Sequence, residues 1–166
     1  MTRQLRIGVM GSATCDDETS RIAETVGRAI AMNEAVLICG GGGGVMEAAA
    51  RGAWKAGGLV VGILPSDDES TANEWVHIPI VTGMGNARNA INVLTSHAVI
   101  AIAGGAGTLS EIALAIKVGT PVVGLKTWKS TIGDQPHSEP AFQSAATPEN
   151  AVEVAISLAR GGIRGK

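Results

Sequence analysis

The sequence predicts an α/β fold built on a doubly wound parallel sheet, and three observations carry that expectation. Short apolar runs alternate with longer stretches of helical period. Several of the runs are apolar without alternation, as strands covered on both faces must be. Glycine-rich segments follow three of them, where the chain turns from strand to helix. A βαβα rhythm of this kind closes a parallel sheet through right-handed crossovers.

The strands are expected at residues 5–10, 35–39, 59–64, 76–81, 98–103 and 121–125, and the helices at 17–32, 45–56, 86–97, 109–118 and 148–160. The last helix opens Thr147-Pro148-Glu149, a capping hydroxyl followed by proline at the first helical position. Residues 126–146 have no period and form the one long irregular stretch, read as a lid, a subunit contact or a disordered loop. No internal repeat, charge block or linker divides the chain, so 166 residues are expected to form a single domain spanning 1–166, a size that buries about two-thirds of the unfolded surface.

Composition narrows the function classes. Hydrophobic residues make up 45% and charged residues 17%, yet glycine interrupts every apolar run before the ~18 residues of a membrane span. Gly8 and Gly11 break the N-terminal run that a secretory signal would need, so a cytoplasmic protein is expected, with no membrane partner. A net charge of −2, a single Phe and no Tyr give neither a basic field nor stacking platforms for a nucleic acid polymer. Cys15 and Cys39 lack any C-x-x-C partner and read as reduced, half-buried side chains. His77, His97 and His137 match no metal pattern, and no metal site is expected.

The chemistry is concentrated in glycine. Gly8 to Ala13 (GVMGSA), Gly40 to Gly44 (GGGGG) and Gly104 to Thr108 (GGAGT) each lie at a strand end. In a doubly wound sheet such loops share the edge where ligands bind. The second and third also lead into helices, whose unpaired amides and positive ends make anion sites. Five successive glycines carry a large loss of chain entropy on folding, more than a simple turn requires, and so point to close approach of a ligand. The candidate phosphate-binding residues are therefore Gly11, Ser12, Gly40, Gly41, Gly42, Gly43, Gly44, Gly104, Gly105, Gly107 and Thr108. Known phosphate loops do not fit: a G-x-G-x-x-G fingerprint fails from Gly40, Gly41, Gly42, Gly83 and Gly105, and no Gly-Lys-Ser/Thr occurs.

The segments GGGGGVMEAAARGA (40–53), GMGNARNAINVLTSHAVIAIAGGAGTLSEIALA (83–115) and GTPVVGL (119–125) resemble the superfamily of the LONELY GUY cytokinin-activating phosphoribohydrolases. They are closer to its branch of molybdenum-cofactor carrier proteins and bacterial relatives. The resemblance implies a Rossmann-like fold and a homodimer or homotetramer built through alanine-rich helices. It covers about residues 6 to 125 and the final helix. In the hydrolases a PGGxGTxxE motif and an upstream Arg-Lys pair cut the base from a nucleoside 5′-monophosphate. Here AGGAGTLSE keeps Gly104, Gly105, Gly107, Thr108 and Glu111, Ala103 replaces the proline, and Arg88 is followed by Asn89 rather than lysine. The hydrolase pattern GGGxxGLMG becomes GGGGGVME, one residue shorter, with Glu47 replacing the last glycine.

Two functions follow from the resemblance, and whether the protein is an enzyme stays open. One is a binder of a phosphorylated, nucleotide-like small molecule, a molybdenum cofactor carrier that requires no cofactor of its own but holds the molybdenum cofactor or a nucleoside monophosphate. The other is a phosphoribohydrolase in which Arg88 orients the phosphoribosyl group or base and Glu111 supports an oxocarbenium-like transition state. Each residue has a plainer alternative. Thr108 and Glu111 have capping-box spacing, and Arg88 fits a solvated helix charge. Trp54, Trp75 and Trp128 are candidates for an interface or a flat ligand, with packing favoured for Trp54. Arg51 is expected to be exposed, and Glu47 to suit the helix dipole while pointing away from any phosphate.

Overall fold

Each expected strand forms, because every one is a short run of β-branched or leucine side chains ended by glycine, proline or a polar turn. The structure is a computed structural model and describes residues 4–128, 131–132, 135–136 and 142–163. In chain order the elements are β1 (Arg6–Gly11), α1 (Asp17–Met32), β2 (Val36–Cys39), α2 (Val45–Lys55), β3 (Val60–Leu64), β4 (Ile78–Val81), α3 (Asn89–Thr95), β5 (Ala98–Ile102), α4 (Ala106–Val118), β6 (Val122–Leu125), β7 (Thr131–Ile132), β8 (Gln135–Pro136), β9 (Phe142–Ser144) and α5 (Pro148–Ile163). Seven strands make one parallel sheet in the order β4-β3-β2-β1-β5-β6-β9, and β7 and β8 form a separate antiparallel pair.

Helices cover both faces. Ile7, Val9, Leu37, Ile100, Val123 and Leu125 face α1, α2 and α5 in the larger core. Ala101 and Val122 face Val93 of α3 and Ile112 and Ala115 of α4. The central strands β2 and β5 are buried at every position, as their unbroken apolar sequences require. Winding runs from β1 through β2 and β3 to β4, then returns to the far side of β1 as β5 and continues to β6. The reversal lies between β1 and β5, so a crevice opens beyond their carboxyl ends. The fold is the Rossmann-like doubly wound sheet that the sequence predicts.

Helix termini follow local chemistry. Asp16 caps α1 by accepting the Thr19 N–H at 2.8 Å, and Gly119 ends α4 in the left-handed conformation, φ 76°. Three expectations need correction. The helix expected at 86–97 is a 3₁₀ turn, Gly85–Arg88, followed by α3. Helix α4 starts at Ala106, because the small residues Ala106 and Gly107 join its first turn instead of remaining in the loop. Residues 126–146 are not wholly irregular, since β9 adds a seventh strand beside β6. No described helix is long and apolar enough to cross a membrane.

Candidate functional site

The ends of β1, β2 and β5 bring the three glycine loops to one cleft of about 250 Å³. Gly11 and Ser12 come from the first loop, Gly40 from the second, and Gly105, Gly107 and Thr108 from the third; Arg88, Asn89 and Glu111 also line it. Gly41, Gly42, Gly43, Gly44 and Gly104 stand outside the lining, although the same loops carry them.

The glycine run has reasons within the protein as well. A β carbon at Gly40 would lie 2.6 Å from Arg88 Nη1, so the arginine can cross over β2 only because nothing projects there. Gly41 and Gly44 have φ of 73° and 61°, conformations that cost other residues about 1–2 kcal/mol. At Gly44 a side chain would also strike the Ser12 carbonyl, which accepts the Val45 N–H at 3.0 Å. Gly42, by contrast, would meet only the flexible end of Met46. Its freedom is the part that packing does not use.

Side-chain donors from the segments after β3 and β6 hold the carbonyls of two loops. Asn73, in the segment after β3, donates its backbone N–H to Gly41 O at 2.8 Å and Nδ2 to Gly41 O and Gly42 O at 3.1 and 2.8 Å. After β6, the Thr127 hydroxyl donates to Ala103 O and the Trp128 indole Nε1 to Gly104 O at 3.1 Å. Ala103 has φ 47° and donates its N–H to Leu125 O at 3.2 Å. Proline can adopt neither feature, so the replacement of the hydrolase proline accompanies a different backbone.

Arg88 and Glu111 belong, with Asn92, to a polar cluster at the cleft. Glu111 is 6% exposed and accepts Asn92 Nδ2 at 3.3 Å, while Arg88 Nη1 approaches its Oε1 at only 3.9 Å. Among the described residues Arg88 Nε and Asn92 Oδ1 are buried without a hydrogen-bond partner. Burial raises the Glu111 carboxyl above the usual Glu range, against the opposing effects of Asn92 and Arg88. Burial likewise lowers the Arg88 guanidinium, although Glu111 opposes it. The capping-box alternative is therefore corrected: Gly105 occupies the N-cap position without a side-chain acceptor, Thr108 lies inside the first turn, and Glu111 bonds to α3. Arg88 is not a solvated charge either.

Asn92 and the carbonyl clamps were not anticipated. Asn92 follows Arg88 by four residues, the spacing that puts two side chains on one helical face, and that was its only sequence signal. Other expectations resolve simply. Arg51 is partly buried and paired with Glu24 at 3.0 Å rather than free at the surface. Glu47 does not line the cleft, although Oε2 comes 3.8 Å from where Gly43 would carry a β carbon. Trp54 and Trp75 pack edge to face with centroids 5.2 Å apart. Cys39 is buried and Cys15 exposed, so neither is half-buried. His77 and His97 accept backbone N–H groups through Nδ1; His137 lies outside the described residues. Among the described residues no group of His, Cys, Asp and Glu is arranged to hold a metal.

A Rossmann-like sheet whose reversal point carries glycine loops, a partly buried arginine and a buried glutamate defines a class, and residues 4–152 match the SLOG cluster4 family. The chain belongs to that family. An uncharacterized protein of Archaeoglobus fulgidus is 48% identical over 153 residues, covering 92% of this chain and 95% of its own. Among solved structures, the molybdenum cofactor binding protein of the phototrophic bacterium Rippkaea orientalis superposes with a TM-score of 0.86 at 43% identity, covering 95% of this chain and 99% of its own. The molybdenum cofactor carrier protein of Chlamydomonas reinhardtii does so with 0.83 at 36%, covering 96% and 99%.

Proposed function

We propose that the protein binds a phosphorylated small molecule in the cleft between β1, β2 and β5 and acts as a carrier, with the molybdenum cofactor as its cargo. One observation carries the reading: the buried Arg88 Nε has no partner among the described residues, in the same cleft as the α4 N-terminus, which no side chain caps. A phosphate suits both, because the helix end offers amides and a positive dipole and the guanidinium supplies charge-assisted donors. Gly105, Gly107 and Thr108 would hold the phosphate, with Arg88 against it and Gly11, Ser12 and Gly40 allowing close approach. The similarity to the Rippkaea and Chlamydomonas proteins supports the cargo.

A nucleoside 5′-monophosphate phosphoribohydrolase is the second reading, favoured by the meeting of Arg88 with Glu111 in the cleft. The backbone at Ala103 and the presence of Asn89 in place of lysine rank it below carriage. The test combines thermal unfolding with chromatography of base released from AMP and other nucleoside monophosphates, with Glu111→Ala beside the parent protein. Stabilisation by a phosphorylated ligand without base release is expected, about 2.7 kcal/mol at a hundredfold excess over Kd. Base release by the parent, lost in Glu111→Ala, would make the protein a hydrolase.

The same reading takes the chain as one ligand-binding domain that works in the cytoplasm as a homo-oligomer and does not bind nucleic acid polymers. Leu94, Leu109 and Val118 on α3 and α4 are exposed, and their burial against a second copy is what self-association would use. Light scattering at the monomer mass would overturn that part.

A further inference from the structure

The cleft is small for a complete cofactor or nucleotide. Its 250 Å³ falls below the range of about 300–1,000 Å³ usual for small-molecule pockets. It accommodates a phosphate and the atoms next to it, so a ring joined to that phosphate must extend across the rim. One segment bonded next to the lining residue Gly105 is held in place. Segment Lys126–Trp128, after β6, crosses from α1 to the third glycine loop by three tethers: Lys126 Nζ to Glu18 in the first turn of α1, the Thr127 hydroxyl to Ala103 O, and the Trp128 indole to Gly104 O. Gly104 immediately precedes Gly105, which lines the cleft.

The other aromatic side chains are engaged elsewhere: Trp54 and Trp75 pack against each other, and Phe142 packs over Gly124 on β6. Trp128 alone of the four is bonded to a cleft loop. Its Nε1–H is fixed while 45% of its surface stays exposed. With one edge held and nearly half of the residue exposed, the indole has little rotational freedom left to lose on binding a ring.

Resting on the proposed phosphate site, we infer that Trp128 is the platform for a flat heteroaromatic ring, pterin or purine, whose phosphate lies on the glycine loops. The test is calorimetric titration of the full chain, Trp128→Ala and Trp128→Phe with ribose 5-phosphate, AMP and neopterin monophosphate. In the parent protein at least one ring-bearing phosphate binds about tenfold or more tighter than ribose 5-phosphate, in keeping with stacking of one ring on an aromatic side chain. Trp128→Ala removes that gain and leaves ribose 5-phosphate unchanged. Trp128→Phe, which keeps a flat face but loses the N–H, retains most of the gain.

A ring gain that is absent from the parent, or that survives Trp128→Ala, overturns the platform. Parallel loss of ribose 5-phosphate in both variants overturns it too, making the indole only a strut for Gly104. Failure of all three ligands to bind the parent would instead remove the phosphate site itself.

Discussion

The Asn92 amide donates to Glu111 Oε1 at 3.3 Å across the contact between α3 and α4, and it is the carboxylate's closest donor, since the Arg88 guanidinium stops at 3.9 Å. Burial outweighs this weak support and raises the Glu111 carboxyl. The folded chain therefore holds a proton more tightly than the unfolded chain. The resulting stability is fully present below the unfolded value near 4.5 and is lost as pH rises through the folded value. Glutamine does not titrate, so Glu111→Gln gains on the parent as pH climbs above about 4.5. Thermal unfolding of both proteins across that window measures it; a difference in Tm independent of pH would contradict the burial of a reluctant charge.

At Ala103 two substitutions should act in opposite directions. Glycine relieves the positive φ of 47° and stabilises by about 1 kcal/mol. Proline, the hydrolase residue, loses the N–H bonded to Leu125 O and cannot reach that φ, and destabilises by more than about 1 kcal/mol. Denaturant midpoints at constant slope decide it.

Asn73 is the corresponding support of the five-glycine loop. Asn73→Ala removes the amide donor from the Gly41 and Gly42 carbonyls and costs about 1–3 kcal/mol, a fall of several degrees in Tm for a chain of this size. Binding of ribose 5-phosphate is unchanged, since Gly41 and Gly42 lie outside the cleft lining and the Asn73 backbone N–H still holds Gly41 O. Weakened affinity beside the lowered Tm would show that the clamp also shapes the site.

The two thiols should separate cleanly. Burial pushes Cys39 up to about 11, with its sulfur accepting the Gly41 N–H, while Cys15 is exposed. Cys15 itself is raised, by partial burial and by Asp16, so its reaction is slow near neutral pH. A disulfide reagent titrates one thiol in the native protein and two after unfolding; two fast native thiols would mean that the β2 end opens readily.

The sheet was legible in the sequence because each strand is a short run of β-branched or leucine residues whose neighbours cannot extend it; β2 and β5 read as buried on both faces from composition alone. The meeting of the glycine loops was legible because loops after parallel strands must share one edge. Two things were hidden for physical reasons. β9 has three residues and gains its order from β6, not from its own pattern. The carbonyl clamps come from residues 32 and 24 positions away from the glycines they hold, a relation that only the tertiary fold creates. The first turn of α4 was obscured because Ala106 and Gly107 read as a continuation of the glycine loop.

The position of β1 bears on how the chain reaches this state. Its partner on one side begins at Val36 and on the other at Ala98, with Ile7 beside Ala98 in register. A nascent chain that has folded only its first half leaves one edge of β1 unpaired, exposing its backbone to any other strand that could add there. Closing so long a loop is slow compared with forming the local β1-α1-β2 unit. The cleft, which needs the loops after β1, β2 and β5 together, is thus among the last parts of the molecule to be assembled.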